Sequence, residues 1–119
     1  MTKLTVYHYA KCGTCRAANK WLESRGHELA KHDLFEMPPE KEELRKLVRA
    51  SGLDAKKFFN TSGEVYKAMN LKEKLPKLSE EELLELLASN GRLVKRPIVT
   101  DGERVTVGFK EESFEEAWS

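Results

Sequence analysis

Cysteine is scarce in this chain: 119 residues hold two, Cys12 and Cys15. A scaffold tied by disulfides spreads its cysteines to close long loops, and a Cys-x-x-Cys loop is too short to staple a fold. Metal-ligating partners are scarce too. Only His8, His27 and His32 accompany the cysteines, with no second paired spacing, whereas a structural zinc needs about four ligands. No metal and no cofactor are expected. Long apolar runs are missing, and none approaches the roughly 18 residues that span a bilayer. The start runs straight into Leu4-Thr5-Val6-Tyr7 without a charged region and an apolar stretch behind it, so no secretion signal is expected. Neither sign of charge dominates: 21 Lys and Arg face 20 Asp and Glu, a net +1. A nucleic-acid binder would show a basic face and a high pI, so direct nucleic-acid contact is not expected. Repeats, linkers and low-complexity stretches are absent as well.

What is present fits one compact, cytoplasmic, monomeric domain over residues 1–119. Apolar residues, 39% of the chain, supply a modest core, and 34% charged residues imply a heavily solvated surface. Leu4 to Tyr9 is a β-rich run without an internal charge and predicts a buried central strand. From about Thr14 to Arg25, Ala18, Trp21 and Leu22 make one helical stripe, and Gly26 is placed to end it. His27 to Leu34 predicts a second strand, parallel to the first. Met37-Pro38-Pro39 punctuates the chain, and residues about 40–90 look entirely helical. Leu44, Leu47 and Val48 form a stripe with Gly52 as its stop, while Phe58, Phe59, Val65, Tyr66 and Met69 supply further apolar surface. Ser79-Glu80-Glu81-Glu82 is a capping box. Ile98-Val99-Thr100 and Arg104-Val105-Thr106-Val107 flank Asp101-Gly102, a pair that favours positive φ at both central turn positions and predicts a tight hairpin. Residues 111–118 close as an acidic helix. The order is β-α-β, a helical insertion, then β-β-α: an α/β chain with a four-stranded mixed sheet.

The cysteine pair falls where the first strand feeds the first helix. A thiol attacks only as thiolate, and unpaired N–H groups with the positive end of a helix dipole stabilise that anion. Cys12 lies just ahead of the helix and meets the N–H groups of the Gly13-Thr14 turn, so Cys12 is the expected nucleophile. Cys15, one turn on and more shielded, suits a resolving thiol. Arg16, four residues after Cys12, adds positive charge on the same side. His8 either sits below the loop or is a satisfied strand-end histidine. Pro97 either faces the cysteines across a substrate groove or simply starts a strand, and its cis or trans state stays open.

At this point the residues match a family. His8-Tyr9-Ala10-Lys11-Cys12-Gly13-Thr14-Cys15-Arg16 resembles the active-site loop of the arsenate reductase (ArsC) and Spx/MgsR family. Arg96-Pro97-Ile98-Val99 resembles its Arg-Pro-Ile signature and Val107-Gly108-Phe109 its closing strand; Gly52, Tyr66 and Leu93 fall where similar chains have like residues. The resemblance implies a thioredoxin-like (glutaredoxin-like) fold with a helical insertion and an Arg96–Pro97 bond close to Cys12, usually cis. It also implies one of two roles. Glutaredoxin-dependent arsenate reductases use one cysteine and hold the oxyanion on the loop with three arginines. Cys12, Arg16, Arg96 and His8 match that pattern, but the third arginine falls at Asn60 and the usual serine at Cys15. On that reading His8, Gly13, Thr14, Arg96 and Pro97 would bind the substrate or oxyanion. Spx-like regulators use Cys-x-x-Cys as a redox switch and bind the C-terminal domain of RNA polymerase α through a glycine that Gly52 resembles. Those regulators end more basic than this chain, which ends Glu111-Glu112-Ser113-Phe114-Glu115-Glu116-Ala117-Trp118. The first reading is a thiol-disulfide oxidoreductase that takes electrons from thioredoxin, glutaredoxin or a low-molecular-weight thiol. The alternatives are the polymerase-binding regulator and the arsenate reductase.

Overall fold

A computed structural model describes residues 3–118. In chain order the elements are β1 (Lys3–His8), α1 (Gly13–Ser24), β2 (Glu28–Asp33), α2 (Lys41–Ser51), α3 (Glu64–Ala68), α4 (Leu71–Lys74), α5 (Glu80–Ser89), β3 (Ile98–Thr100), β4 (Val105–Val107) and α6 (Glu111–Trp118). They form two compact units, residues 3–33 with 96–118 and residues 34–95.

The first unit carries the sheet and the cysteine pair. Its sheet runs β2-β1-β3-β4. β1 pairs parallel with β2, with Tyr7 opposite His32, and antiparallel with β3, with Tyr7 opposite Ile98. β3 and β4 are antiparallel. This is the expected α/β mixed sheet, thioredoxin-like in its strand order and directions. The alternation of β1 sends Leu4 and Val6 to one face, where they meet Ala18 and Leu22 of α1, Val99, Phe114 and Trp118. The ring of Phe114 sits edge-on to Trp21 and Phe109, with centroids 5.4 and 4.7 Å away. α1 stops at Gly26, which takes φ +86° and donates its N–H to the Glu23 carbonyl at 3.0 Å.

The β3–β4 connection departs from the tight hairpin that Asp101-Gly102 predicts. β3 ends at Thr100 and β4 starts at Val105, leaving a loop over residues 101–104 in which Gly102 alone has positive φ. Side-chain bonds outweigh the dipeptide preference here. Asp101 Oδ1 accepts the N–H groups of Glu103 and Arg104 at 2.9 and 2.8 Å, and Thr100 Oγ1 accepts that of Gly102 at 3.0 Å.

The second unit is the insertion, and it spans residues 34–95, wider than the 40–90 the sequence suggests. α2 buries Leu44, Leu47 and Val48 and ends on Gly52 at φ +71°. α5 opens with the expected capping box: Ser79 Oγ accepts the Glu82 N–H at 3.2 Å and Glu82 Oε1 accepts the Ser79 N–H at 3.1 Å. The block is not entirely helical. Phe59 and Val94 form an antiparallel bridge, flanked by Asn60 N–H to Leu93 carbonyl and Lys95 N–H to Phe58 carbonyl, both 2.7 Å. An aromatic and a β-branched residue, both buried, favour that extended pairing over helix. Among the described residues no helix is long and apolar enough to cross a membrane.

Candidate redox site

Cys12 is the N-cap of α1, with extended backbone at φ −81° and ψ 122°. The turn that delivers it is closed by its own N–H on the Tyr9 carbonyl, 3.0 Å, and its carbonyl takes the Arg16 N–H, also 3.0 Å. No acidic side chain stands in the first turn of α1, so nothing there opposes a thiolate. Cys12 is half-buried, Cys15 is fully buried, and both are free thiols.

The pKa values of the two thiols are driven in opposite directions. Burial alone would raise the Cys12 pKa. The Cys15 N–H and thiol, which both hydrogen-bond the Cys12 sulfur, and the Arg96 guanidinium beside it outweigh burial and bring the pKa below the ordinary thiol value. Cys15 goes the other way. Burial first, and then the hydrogen bond and charge of Cys12, push it up to about 12, against the Tyr9 backbone and Arg96. Cys12, half-buried, thus ionises more readily than an ordinary thiol, and its neighbour is a buried thiol that donates to it.

The cation beside Cys12 is Arg96, whose guanidinium carbon also lies 6.0 Å from the centre of the Tyr9 ring. Arg16, expected to serve the thiolate, donates Nε to the Ala10 carbonyl at 3.0 Å and is absent from the groups that act on Cys12. Its backbone spacing is right, but the side chain folds back onto a carbonyl of the turn that follows β1. Gly13 and Thr14 are exposed at the open end of the helix. Pro97 is buried, follows a cis peptide bond from Arg96, and takes the Gly108 N–H on its carbonyl at 2.9 Å. His8 Nδ1 lies 3.1 Å from Asn19 Nδ2, and burial, with Lys31 adding to it, lowers the His8 pKa. Asn19 is a residue the sequence reading passes over; its only signal is a polar residue one place after Ala18 in an inward stripe. Gly52 and Asn60 belong to the other unit, where Gly52 is exposed and Asn60 is held by its backbone bond to Leu93.

The contrast between the arginines gives a first test. Arg96→Ala should raise the Cys12 pKa and Arg16→Ala should leave it nearly unchanged, read as thiolate ultraviolet absorbance against pH. Equal effects of the two substitutions would refute the assignment.

The model of the ArsC family matches residues 7–117, from the end of β1 to the last turn of α6. The chain belongs to the ArsC family. YusI of Bacillus subtilis is 63% identical over 116 residues, 98% of each chain. The global transcriptional regulator Spx of Enterococcus faecalis is 31% identical, covering 92% of this chain and 81% of its own. The structure of the arsenate reductase from Vibrio cholerae superposes with a TM-score of 0.86 at 28% identity, covering 97% of each chain. ArsC family relatives therefore include both an enzyme and a regulator. This ArsC family member carries the near pair Cys12–Cys15.

Proposed function

We propose that the protein is a thiol-disulfide oxidoreductase. The observation that carries this reading is the contrast between two neighbouring free thiols, Cys12 half-buried at the start of α1 with its pKa lowered and Cys15 fully buried with its pKa raised. The Cys12 thiolate attacks one sulfur of a disulfide R–S–S–R′. The S–S bond breaks, R′–S⁻ leaves and takes a proton from water, and Cys12 is joined to R. Capture of Cys12 removes the negative charge that helps hold the Cys15 proton, so Cys15 ionises more readily. Its sulfur then attacks that of Cys12, and R–S⁻ leaves. Two electrons have passed to the substrate, and Cys12–Cys15 is the product disulfide. A dithiol protein of the thioredoxin or glutaredoxin class, or two low-molecular-weight thiols, returns the electrons. Arg96 steadies each sulfur anion formed at Cys12, and Pro97 shapes the groove.

Cys15→Ser should stall the cycle as a stable adduct on Cys12, identified by intact mass after exposure to a model disulfide. Wild-type protein should turn over in a donor-coupled NADPH assay, and Cys12→Ser should not. Arsenate should be reduced weakly or not at all in the same assay, because Asn60 stands where the resemblance places a third arginine and Cys15 offers the thiolate a competing disulfide. Robust arsenate turnover, lost in Cys12→Ser and indifferent to Cys15→Ser, would place the chain with single-cysteine arsenate reductases instead.

A second reading rests on Gly52, exposed and left-handed at the end of α2, together with the relative named Spx. There the cysteine pair would be a switch on a protein that binds RNA polymerase α. A Cβ at Gly52 would meet nothing within 4 Å, and Asn tolerates left-handed backbone. Gly52→Asn should therefore fold normally. If this second reading holds, the immobilised C-terminal domain of polymerase α retains wild type and loses the variant. If that domain does not retain wild type at all, the second reading falls.

A further inference from the structure

The pairing of β1 with β3 brings together two side chains that the exchange chemistry leaves unconnected. Its antiparallel register sets Thr5 opposite Thr100, Val6 opposite Val99 and Tyr7 opposite Ile98. Carried two residues past that last pair, the same register brings Tyr9 opposite Arg96. The two side chains meet there: the Arg96 guanidinium carbon lies 6.0 Å from the centre of the Tyr9 ring, within reach of a cation–π contact. Both residues are half-buried, and Nε and Nη1 of the guanidinium are buried. A cation enclosed in this way is positioned by what it packs on more than by water. A planar, delocalised guanidinium packs well on an aromatic face, where the π cloud is negative.

The same guanidinium reaches the reacting sulfurs. Arg96 hydrogen-bonds the Cys12 sulfur, and its charge favours the thiolate at both cysteines. The other cations nearby are placed differently. Lys11, next to Cys12, is exposed, and Arg16 is tied to the Ala10 carbonyl. Tyr9 also holds the cysteines through its backbone. Its carbonyl accepts the Cys12 N–H at 3.0 Å, and its N–H donates to the Cys15 sulfur. One residue, three places before Cys12, thus fixes the turn that carries the nucleophile and packs on the cation that serves it.

We propose that Tyr9 is a positioning residue of the redox site, the face of its ring holding the Arg96 guanidinium beside Cys12. The proposal rests on the oxidoreductase reading, in which negative charge sits first on the Cys12 sulfur and then on that of Cys15, and a guanidinium held in one place serves both. The ring face is the working part, and the Tyr9 hydroxyl is not needed for it.

The test follows alkylation of Cys12 by iodoacetamide against pH, read by peptide mass, in wild type, Tyr9→Phe, Tyr9→Leu, Arg96→Ala and the Tyr9→Leu/Arg96→Ala double variant. Phenylalanine keeps the ring face, and its rate at pH 6 should stay within about twofold of wild type. Leucine keeps apolar bulk without that face, so its profile should move to higher pH, with the rate at pH 6 down by about threefold or more. With Arg96 already replaced by alanine, Tyr9→Leu should lower the rate no further, because the cation through which the ring acts is gone. Packing lost on its own would lower a denaturation midpoint and leave the pH profile in place. Should Tyr9→Leu fail to fold, Tyr9→Gln takes its part in each comparison, since a polar side chain suits a half-buried turn. An unmoved profile in the ring-less variant overturns the proposal. So does a fall in Tyr9→Phe equal to that in Tyr9→Leu, or an undiminished effect of Tyr9→Leu in the Arg96→Ala background. None of these rates involves a disulfide substrate, so any such result leaves the oxidoreductase reading standing. Failure of the wild type to turn over a model disulfide would overturn that reading and leave the alkylation profiles as they are.

Discussion

Iodoacetamide at pH 6 should label Cys12 and leave Cys15 unlabelled, with a rate ratio of at least about a hundredfold. The ratio follows from thiolate populations. A thiol held at about 12 keeps on the order of one molecule in 10⁶ ionised at that pH, whereas Cys12 lies below the ordinary thiol value. Burial of Cys15 also blocks approach of the reagent. Peptide mapping by mass spectrometry after brief exposure reads both sites at once. Comparable labelling of the two would contradict the assigned roles. The pH dependence of stability has opposite signs at the two residues. Cys12, lowered on folding, favours the fold above its unfolded pKa, and that contribution is lost as pH falls through its folded value. Cys15, raised on folding, keeps its proton while the unfolded chain releases it, so stability falls as pH climbs from the ordinary thiol value toward 12.

Gly91→Ala should destabilise the insertion severely, by about 3 kcal/mol or more. A Cβ at that position would lie 1.8 Å from the Leu34 carbonyl oxygen and 2.6 Å from its carbon. Both are backbone atoms, so no side-chain rotation relieves the overlap; the chain at Leu34 or at Gly91 has to move. Leu34 and Leu93 are each fully buried, which leaves little room for that movement. Chemical denaturation followed by circular dichroism measures the loss. A midpoint within error of wild type would show that the two segments slide apart freely. By contrast, Gly13→Ala, whose added Cβ meets nothing within 4 Å, is expected to leave the midpoint nearly unchanged and serves as the control.

The periodic parts of this fold are legible in the sequence. β1 shows itself as an uncharged β-rich run, α1 as an apolar stripe closed by Gly26, and α5 by a capping box that forms bond for bond. The cysteine pair is legible for the same reason, since its chemistry depends on a local feature, the start of one helix. Contacts between distant residues are not legible in that way. Nothing local says that Arg96, far along the chain from Cys12, supplies the cation while Arg16, one helical turn away, folds back to Ala10. Nothing local gives the Phe59–Val94 bridge that widens the insertion, or the Leu34 carbonyl against which Gly91 packs. The loop over residues 101–104 defeats sequence reading for a different reason. The dipeptide rule weighs backbone preference, and here the carboxylate of Asp101 and the hydroxyl of Thr100 bind the loop's own N–H groups instead. Asn19 escapes notice because a single polar residue in an amphipathic helix carries no signal until its surroundings are known.

β2 lies at one edge of the sheet, and four of its six residues, Glu28, Lys31, His32 and Asp33, are ionisable. At the other edge β4 is only three residues long. Open edges are where a foreign strand can add and start a fibre, and a charge-studded or very short edge resists that. Both edges of this sheet therefore leave a foreign strand little to polymerise on, and replacing Lys31 with a β-branched apolar residue would open that route to aggregation.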